Sequence, residues 1–431
     1  MAVDDGVDRL VSLRRDLHRF PEPAWREFRT TARIVSEIES IGVDELLVGR
    51  EFIDPDDRQG VPSLEAIEPW YVAAQEADID PDVLEATTGG VTGALAVLER
   101  GPGPTIGLRV DIDALPRTES EDEDHNPTAK GFRSETGAMH ACGHDAHITF
   151  GIGVLEEIAN DDSFSGTLKV IFQPAEEVIG GGRAVAESGW IDDCDQLLAA
   201  HVGLDHPTGE VVAGLDGFLA VHHFEAEFSG VPAHAGAQPN AGDNAIQALS
   251  TAVQNLYGIA RHEDGGTRIN VGVVEGGSAP NIIAESARFV AEVRGETTEL
   301  KEYMRERATT VIESAAEMHD CSVELTDVGG APSATSDEEV VSVVESVAKR
   351  VDGVDSIPRS GSLGGSEDAT YLMQRVQERG GSAAYVGIGT DHPGGHHTAT
   401  FDVDEDSLAI GVAVLSKTIR ELAANGTASN S

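Results

Sequence analysis

The chain has 431 residues, which is too long for one ordinary hydrophobic core, so two domains are expected. It carries 76 acidic residues against 30 lysines and arginines, a formal net charge of −46, which makes nucleic acid and anionic membranes poor partners. There is no apolar run of the roughly 18 residues that a membrane span needs, and the acidic N-terminus lacks the apolar segment of a signal peptide. A cytoplasmic protein is therefore expected.

The negative charge is spread along the chain, as in "SEDEDH" and "DVDEDS". Because dissolved ions screen such repulsion, a dispersed anionic surface with few lysines predicts a halophilic protein, adapted to a salt-rich cytoplasm. Simple solubility is the alternative. The cysteines, Cys142, Cys194 and Cys321, are odd in number and sparse, which argues against a disulfide scaffold and for a reducing compartment.

The first half of the chain predicts an α/β domain. Apolar periodicity indicates helix over 5–41, interrupted at "FPEP", and an irregular polar insertion follows over 50–90. Buried strands then alternate with helices; the strands are "GALAVLE", "TIGLRVDIDALP", "GTLKVIFQPAEE" and "QLLAAHVG". This alternation predicts a mostly parallel sheet covered by helices on both faces.

From about Phe218 the order of predicted elements becomes β-α-β-β-α-β, which is that of a ferredoxin-like unit. After Gly330 a helix, the strand "SAAYVGIG" and a final helix from about Asp404 complete the first domain. The larger domain is therefore expected to comprise 1–216 and 329–431, with a small domain, 217–328, inserted into it.

The stretch "MHACGHDAH" places three histidines, a cysteine and an aspartate together. Cys142 and His144 are two positions apart and would not share a helix face, so they can converge only from a loop or a helix start. A thiolate and an imidazole together favour a transition metal. Cys142 could instead be a small buried hydrophobe, and His147 is expected to cap or pack near the site.

Further candidate ligands come directly after predicted strands. In open α/β sheets, ligands bind beyond the carboxyl ends of the strands, so these groups are expected to share one crevice. They are Asp111, Asp113, Glu176, Glu177, His201, His396 and His397. If one of the adjacent glutamates binds metal, the other can act as a general base. A closed structural zinc site is the alternative, but its ligands usually cluster locally. Lone histidines such as His18 are expected to be surface or packing residues.

Several motifs along the chain resemble those of one known family, and they occur in the same order. They are "RRDLHRFPEPAWREFRTT", "LRVDIDALP", "MHACGHDAH", "FQPAEE", "AAHVG", "AHAGAQPNAGDNA" and "GHHTATFDVDE". The chain is similar over nearly its whole length to the metal-dependent aminoacylase/carboxypeptidase-type amidohydrolases, which include hippurate and indoleacetyl-amino-acid hydrolases. The resemblance implies two divalent ions, Mn or Zn, with Glu176 as the general base. The implied ligands are Cys142, His144, Glu177, His201 and His397.

The resemblance also assigns supporting residues. His397 is preferred to His396 because it lies four residues before Phe401, as the family's ligand does. Arg109 stands where related peptidases have a ligand histidine, so Asp111 is expected to support the site without binding metal.

The small domain would be a lid and dimerisation domain. There His234 would act in catalysis by holding the substrate carbonyl, and Asn281 and Arg294 would contact its carboxylate side. Glu367 and Asp368 lie near the site in relatives.

The implied activity is hydrolysis of the amide bond of N-acyl or N-aroyl amino acids, with p-aminobenzoyl-glutamate as the leading substrate. The alternatives are a hippurate or indoleacetyl-amino-acid hydrolase and a metal-binding protein without catalysis. The partners implied are a small-molecule substrate and, in a homodimer or heterodimer, a second copy or a homologous chain.

Overall fold

The computed structural model describes residues 2–77, 79–392 and 394–429, and the chain divides into two compact units. The second unit comprises Phe218–Ser333 and Gly364–Glu367, and the first unit takes the remaining parts of the chain. The boundary expected at 328 falls inside a strand that continues to Ala331, so the second unit runs a few residues further.

The α-helices are α1 (Ala2–Arg19), α2 (Phe28–Ile41), α3 (Leu64–Glu76), α4 (Pro81–Ala86), α5 (Asn126–Lys130), α6 (His144–Ala159), α7 (Gly182–Glu187), α8 (Ala245–Leu256), α9 (Thr298–Met318), α10 (Glu338–Ala348), α11 (Ala369–Glu378) and α12 (Asp406–Ser429). The strands are β1 (Glu45–Val48), β2 (Ala94–Glu99), β3 (Thr105–Asp111), β4 (Thr167–Gln173), β5 (Gln196–Val202), β6 (Val211–Val212), β7 (Leu215–Asp216), β8 (Ala220–Ser229), β9 (Thr267–Gly276), β10 (Ser286–Gly295), β11 (Ser322–Ala331), β12 (Gly361–Ser362) and β13 (Ser382–Ile388). Within the described ranges, no helix has the length and apolar character needed to cross a membrane.

The first unit is built on a seven-stranded sheet in the order β1-β2-β4-β3-β5-β13-β6. The four central strands, β4, β3, β5 and β13, are mutually parallel, whereas β1, β2 and β6 pair antiparallel at the edges. Side chains alternate between the two faces, and Leu108 and Val110 of β3 pack in one core with Phe150 of α6. The predicted α/β class with a mostly parallel sheet is confirmed.

The second unit is a four-stranded antiparallel sheet in the order β11-β8-β10-β9 with helices α8 and α9 packed against it. Phe224, Phe228 and Phe289 form its aromatic centre, and Met304 of α9 and Leu256 of α8 bury against them. The observed order β8-α8-β9-β10-α9-β11 confirms the predicted β-α-β-β-α-β unit. Both helices carry apolar residues at helical spacing, and side chains alternate between the two faces of the long strands.

The loop before α6 approaches the sheet closely at Gly143. This glycine has a φ of +84°, and a Cβ atom there would lie 2.4 Å from Cγ1 of Val202 in β5. Only glycine therefore allows both the left-handed turn and the close approach. The turn places Cys142 and His144, on either side of it, next to the end of β5.

Buried charges tie α1 to two distant segments of the first unit. Nε of the fully buried Arg14 lies 2.7 Å from Oδ2 of Asp145, and its Nη2 donates to Oδ1 of Asp402 at 2.5 Å. His18 is buried rather than on the surface, with its ring nitrogens 2.8 Å from Asp145 and 2.9 Å from Glu119. Burial and Arg14 lower the pKa of His18, but the two carboxylates outweigh them and raise it to about 9.

Arg14→Met is expected to destabilise the fold by about 3–5 kcal/mol, because it removes the ion-pair partner of the buried Asp402 and leaves Asp145 with His18 alone. Urea unfolding followed by circular dichroism measures the change. Arg15→Met is the matched control, since Arg15 pairs with Glu405 at 2.6 Å at the partly exposed surface and should cost less than about 1 kcal/mol. Equal costs for the two variants would contradict the assignment of Arg14 as a buried anchor.

Candidate metal centre

Four neighbouring parallel strands end at one edge of the first unit's sheet, and polar residues follow them there. Asp111 ends β3, His201 lies near the end of β5, and Glu176 and Glu177 come shortly after β4. One atom from each of Cys142, His144 and His201 lies within 4.8 Å of the others. Cys142, Glu177 and His397 form a second such group. The structure thus brings the five expected ligands together, with Cys142 common to both groups.

Cys142 and His201 are a buried pair within this cluster. Sγ of Cys142 lies 3.4 Å from Nε2 of His201, and Nδ1 of His201 donates to the carbonyl oxygen of Val202 at 2.8 Å. Burial, with a smaller contribution from His147, lowers the pKa of His201 well below its usual value. The ring is therefore neutral, and its Nε2 lone pair points towards the sulfur. All three cysteines are free thiols.

His144 presents an unsatisfied nitrogen to a ring of carboxylates. Its Nδ1 donates to the carbonyl oxygen of Asp113 at 2.9 Å. Among the residues that the structure describes, its buried Nε2 has no hydrogen-bond partner. That atom faces carboxylate oxygens of Asp111, Glu176 and Glu177 at 3.7, 3.8 and 3.9 Å. These separations are too long for hydrogen bonds, and they leave room for an ion between the imidazole and the carboxylates.

The electrostatics of the cluster favour a cation. Burial lowers the pKa of His144, but Asp111 and Asp113 outweigh burial and raise it well above its usual value. Burial also raises the pKa of the Cys142 thiol, and the charge of Glu177 raises it further. A bound divalent cation would relieve both effects, because it attracts the carboxylates and favours the thiolate. The residues present therefore fit a metal centre with nitrogen, sulfur and oxygen ligands.

Asp113 organises three of these groups, a role that the sequence did not reveal. Its Oδ1 accepts from the backbone N–H of Glu176 at 3.1 Å and its Oδ2 from that of Glu177 at 3.0 Å. Its own carbonyl oxygen accepts from His144. The residue was visible as a second aspartate at the end of a predicted strand, but its partners lie 31 to 64 positions away.

The turn that presents the glutamates is strained and supported by Glu27, which directly precedes α2. Ala175 has a φ of +58°, which is unfavourable for a residue with a Cβ atom. Its N–H donates to Oε1 of the buried Glu27 at 2.9 Å, and Thr92 donates to Oε2 at 2.6 Å. Burial, together with the nearby Asp113, raises the pKa of Glu27 to about 8. Glu27 lies in the motif "PEPAWREF", but no spacing in the sequence connects it to the glutamates.

Asp111 supports the site through its neighbours. It accepts from Nη1 of the buried Arg109 at 2.9 Å and is hydrogen-bonded to Nδ1 of His147. Burial raises the pKa of Asp111, but His144, His147 and Arg109 outweigh burial and lower it well below its usual value. Nε2 of His147 accepts from the N–H of Val202 at 2.8 Å, so both ring nitrogens of His147 are occupied.

His397 lies at the open side of the cluster. Its side chain is 55% exposed, and its Nε2 is 3.5 Å from Oε2 of Glu177. Its backbone N–H donates to the carbonyl oxygen of Ala141 at 2.8 Å, which joins the two ligand-bearing loops. A φ of +60° turns the residue, a conformation rare outside glycine and concentrated at functional sites.

The remaining expected site residues lie elsewhere in the chain. His234 and Asn281 adjoin in the second unit, where the N–H of Ala235 donates to the carbonyl oxygen of Asn281 at 2.9 Å. Nδ1 of the exposed His234 accepts from the N–H groups of Gly236 and Ala237, both at 3.1 Å, so its proton is on Nε2.

Arg294 is already engaged within the second unit. Its Nε and Nη2 donate to the carboxylate of Glu292 at 3.0 and 2.9 Å. The guanidinium that was expected to bind a substrate carboxylate therefore binds a carboxylate of the same unit.

Asp368 belongs to the first unit and is buried near the glutamate turn. Its Oδ2 accepts from the N–H groups of Gly181 and Gly182 at 3.1 and 2.8 Å, and its Oδ1 accepts from Gln173 at 2.7 Å. It therefore fixes the segment that follows Glu177.

Comparisons with known proteins agree with this chemistry. The model of Peptidase family M20/M25/M40 matches residues 107–421. The chain is 42% identical over 418 residues to the indole-3-acetyl-aspartic acid hydrolase of Enterobacter agglomerans, an alignment that covers 96% of this chain and 95% of that protein. It is 40% identical over 420 residues to one chain of the p-aminobenzoyl-glutamate hydrolase of Escherichia coli (strain K12), covering 96% of each. Among solved structures, the aminobenzoyl-glutamate utilization protein of Klebsiella pneumoniae matches with a TM-score of 0.83 at 33% identity, covering 98% of each chain. These matches confirm the resemblance carried by the motifs.

Proposed function

Because the chain belongs to peptidase family M20/M25/M40, we propose that it is a metal-dependent amidohydrolase that cleaves p-aminobenzoyl-glutamate into p-aminobenzoate and glutamate. The single observation that carries the chemistry is the buried Nε2 of His144, which faces the carboxylates of Glu176 and Glu177 without a hydrogen-bond partner among the described residues. The two relatives with the highest identity above are both named for amides that join an aromatic acyl group to an acidic amino acid.

Two divalent ions would be held by five side chains that meet at the sheet edge. A thiolate with several imidazoles favours a transition metal, so Mn and Zn are the ions we propose. When bound, such ions supply charge that polarises a carbonyl and lowers the pKa of a water molecule towards about 7. The proposed ligands are Cys142, His144, Glu177, His201 and His397.

Glu176 is the proposed general base. Its backbone is fixed by Asp113, and its carboxylate oxygen lies 3.8 Å from Nε2 of His144, at the edge of the proposed metal site. It would take a proton from the attacking water and return it to the departing amine nitrogen. Asp111 would act only by holding His147 and by contributing negative charge.

The second unit is proposed as the lid and dimerisation domain, with His234 acting in catalysis and Asn281 and Arg294 binding the substrate. The exposed His234 has its proton on Nε2, which suits donation to an oxygen that becomes negative during the reaction. Since Glu292 occupies the fork of Arg294, a substrate carboxylate would have to share that guanidinium or displace Glu292.

A hydrolysis panel tests the proposed function. The full chain, loaded with Mn or Zn at high salt, is offered p-aminobenzoyl-glutamate, indole-3-acetyl-aspartate and hippurate, and release of the free amino acid is measured. The highest kcat/KM is expected for p-aminobenzoyl-glutamate. Preference for another member would reassign the acyl group, and full metal loading without any cleavage would favour the non-catalytic alternative.

Association is proposed through the free edge of the second unit's sheet. Strand β9 lies at that edge, and Val273 and Val274 are 42% and 55% exposed there. Such an exposed apolar edge is a template for pairing with another strand, and we propose a second copy of this chain as its occupant. The opposite edge, β11, carries Glu324 and Asp327 and is less suited to self-pairing. A homologous chain is the alternative partner, because the Escherichia coli relative is named as one subunit of its enzyme.

Val274→Lys is expected to convert a dimer into a monomer, because a charge on the edge strand opposes pairing. Native mass at high salt measures the change, and Glu324→Lys on β11 is the control that should leave the mass unaltered. A wild-type chain that is monomeric alone but dimeric with a co-expressed homologous chain would favour the heterodimer instead.

Salt dependence tests the proposed halophilic adaptation. With a net charge of −46, the folded chain repels itself, and the screening length grows from about 3 Å at 1 M salt to about 10 Å at 0.1 M. The denaturation temperature is therefore expected to fall steeply as KCl is diluted over that range. A fold that stays intact near zero salt would leave simple solubility as the explanation of the charge.

A further inference from the structure

Both ring nitrogens of His396 have partners within the protein, and neither partner is a metal ion. The backbone N–H of Leu204 donates to Nε2 of His396 at 2.9 Å. Since a backbone N–H can only donate, Nε2 must be the acceptor and the ring proton is on Nδ1. That Nδ1 lies 3.6 Å from Sγ of Cys142, within hydrogen-bonding distance of a sulfur atom. The ring therefore joins the backbone after His201 to the thiol of Cys142.

The segment after His201 is shaped to receive this ring. Gly203, Leu204 and Asp205 all have left-handed backbone conformations, with φ values of +85°, +55° and +63°. A Cβ atom on Gly203 would lie 2.6 Å from Nε2 of His396, so glycine is needed for the ring to fit. Two successive non-glycine residues in this conformation are strained. The conformation orients the backbone N–H of Leu204 towards the imidazole of His396.

Aromatic neighbours also fix the ring. The His396 ring centroid lies 4.7 Å from that of Phe401 and 5.4 Å from that of His201. Because Nε2 accepts from the N–H of Leu204, the ring keeps a single N–H, and that N–H is at Nδ1. A neutral ring with one anchored nitrogen has only one donor to offer.

We propose that His396 is a positioning residue whose Nδ1–H donates a hydrogen bond to the thiolate of Cys142 and so fixes the sulfur for metal binding. This inference rests on the metal centre of the proposed function. The donor stabilises the charged form of the sulfur and orients its remaining lone pairs towards the neighbouring ligands. The two adjacent histidines thus have different roles, since His397 offers a nitrogen to the metal and His396 offers a proton to the sulfur.

Two substitutions distinguish hydrogen-bond donation by His396 from simple packing of its ring. In His396→Asn the amide Nδ2 takes the place of Nδ1 and keeps a donor towards Cys142. In His396→Gln the amide oxygen can take the place of Nε2 and accept from Leu204, but no donor remains at the δ position. Cobalt binding to the full-length apoprotein at high salt is followed by its thiolate-to-cobalt absorption band, which reports directly on the sulfur.

His396→Gln is expected to weaken cobalt binding about 10–100-fold and to shift the band, whereas His396→Asn binds cobalt like the wild type. In a Cys142→Ala background, His396→Gln should have no further effect. His206→Gln is the control, because His206 follows the same strand β5 but pairs with Glu210 at 2.6 Å.

Two outcomes overturn the inference: unchanged cobalt binding and band position in His396→Gln, or equal losses in the Asn and Gln variants, which would indicate packing alone. Absence of the thiolate band in the wild type with cobalt bound would instead count against Cys142 as a ligand, and absence of cobalt binding would count against the proposed metal centre itself.

Discussion

Glu176→Gln is expected to lower kcat about 10²–10⁴-fold while leaving KM and metal content near those of the wild type. Glutamine keeps the size of the side chain and the backbone hydrogen bond to Asp113, but it cannot accept a proton from water. Because Glu176 is proposed to act on the reacting atoms and not as a ligand, the loss should appear in the chemical step. Steady-state kinetics on p-aminobenzoyl-glutamate and elemental analysis of the purified variant measure both quantities.

Glu177→Gln is the matched control for this prediction. The two glutamates are adjacent, and Asp113 accepts from the backbone N–H of both, so the substitutions disturb the turn equally. Glu177 lies 3.5 Å from His397 and belongs to the cluster with Cys142, so its loss should lower metal affinity first and activity as a consequence. Undiminished hydrolysis by Glu176→Gln, or the same metal loss in both variants, would contradict the division of roles.

The edge of the sheet that carries the site was accessible from the sequence. Buried runs alternating with helices predict parallel strands, and parallel strands bring the residues that follow them to one edge. The structure places β4, β3, β5 and β13 side by side, which is why Asp111, Glu177 and His201 all lie near His144 although the sequence separates them widely. Strands β1 and β6 were not predicted, because segments of four and two residues are too short to display a period.

The sequence could not predict the contacts that depend on the path of the folded backbone. Arg14 meets Asp402 across 388 positions, and neither residue lies in a local pattern that indicates a buried charge. The left-handed conformations of Ala175 and His397 present a glutamate and an imidazole, yet neither residue type predicts such a turn. Hydrogen bonds to the backbone also decide which nitrogen of each histidine carries the proton, and that information exists only in three dimensions.

His201→Ala and His147→Gln are expected to differ in the number of metal ions retained. The two rings are neighbours, with centroids 4.6 Å apart, and both are fully or almost fully buried. His201 uses Nδ1 for the carbonyl oxygen of Val202 and directs Nε2 towards the proposed ligand Cys142, whereas His147 uses its nitrogens for Asp111 and the N–H of Val202. His201→Ala should therefore lose one ion per chain and lower kcat/KM by more than the roughly 10–100-fold typical of supporting residues.

His147→Gln should keep two ions per chain, because no metal ligand is removed, and should show its defect mainly as weaker binding or lower stability. Elemental analysis after gel filtration, paired with thermal unfolding of each variant, separates these effects. Loss of an ion from His147→Gln with retention of both in His201→Ala would exchange the two roles. That result would require the hydrogen bonds of these rings to rearrange when metal binds, since the nitrogen of His147 that faces Asp111 would have to give up its proton.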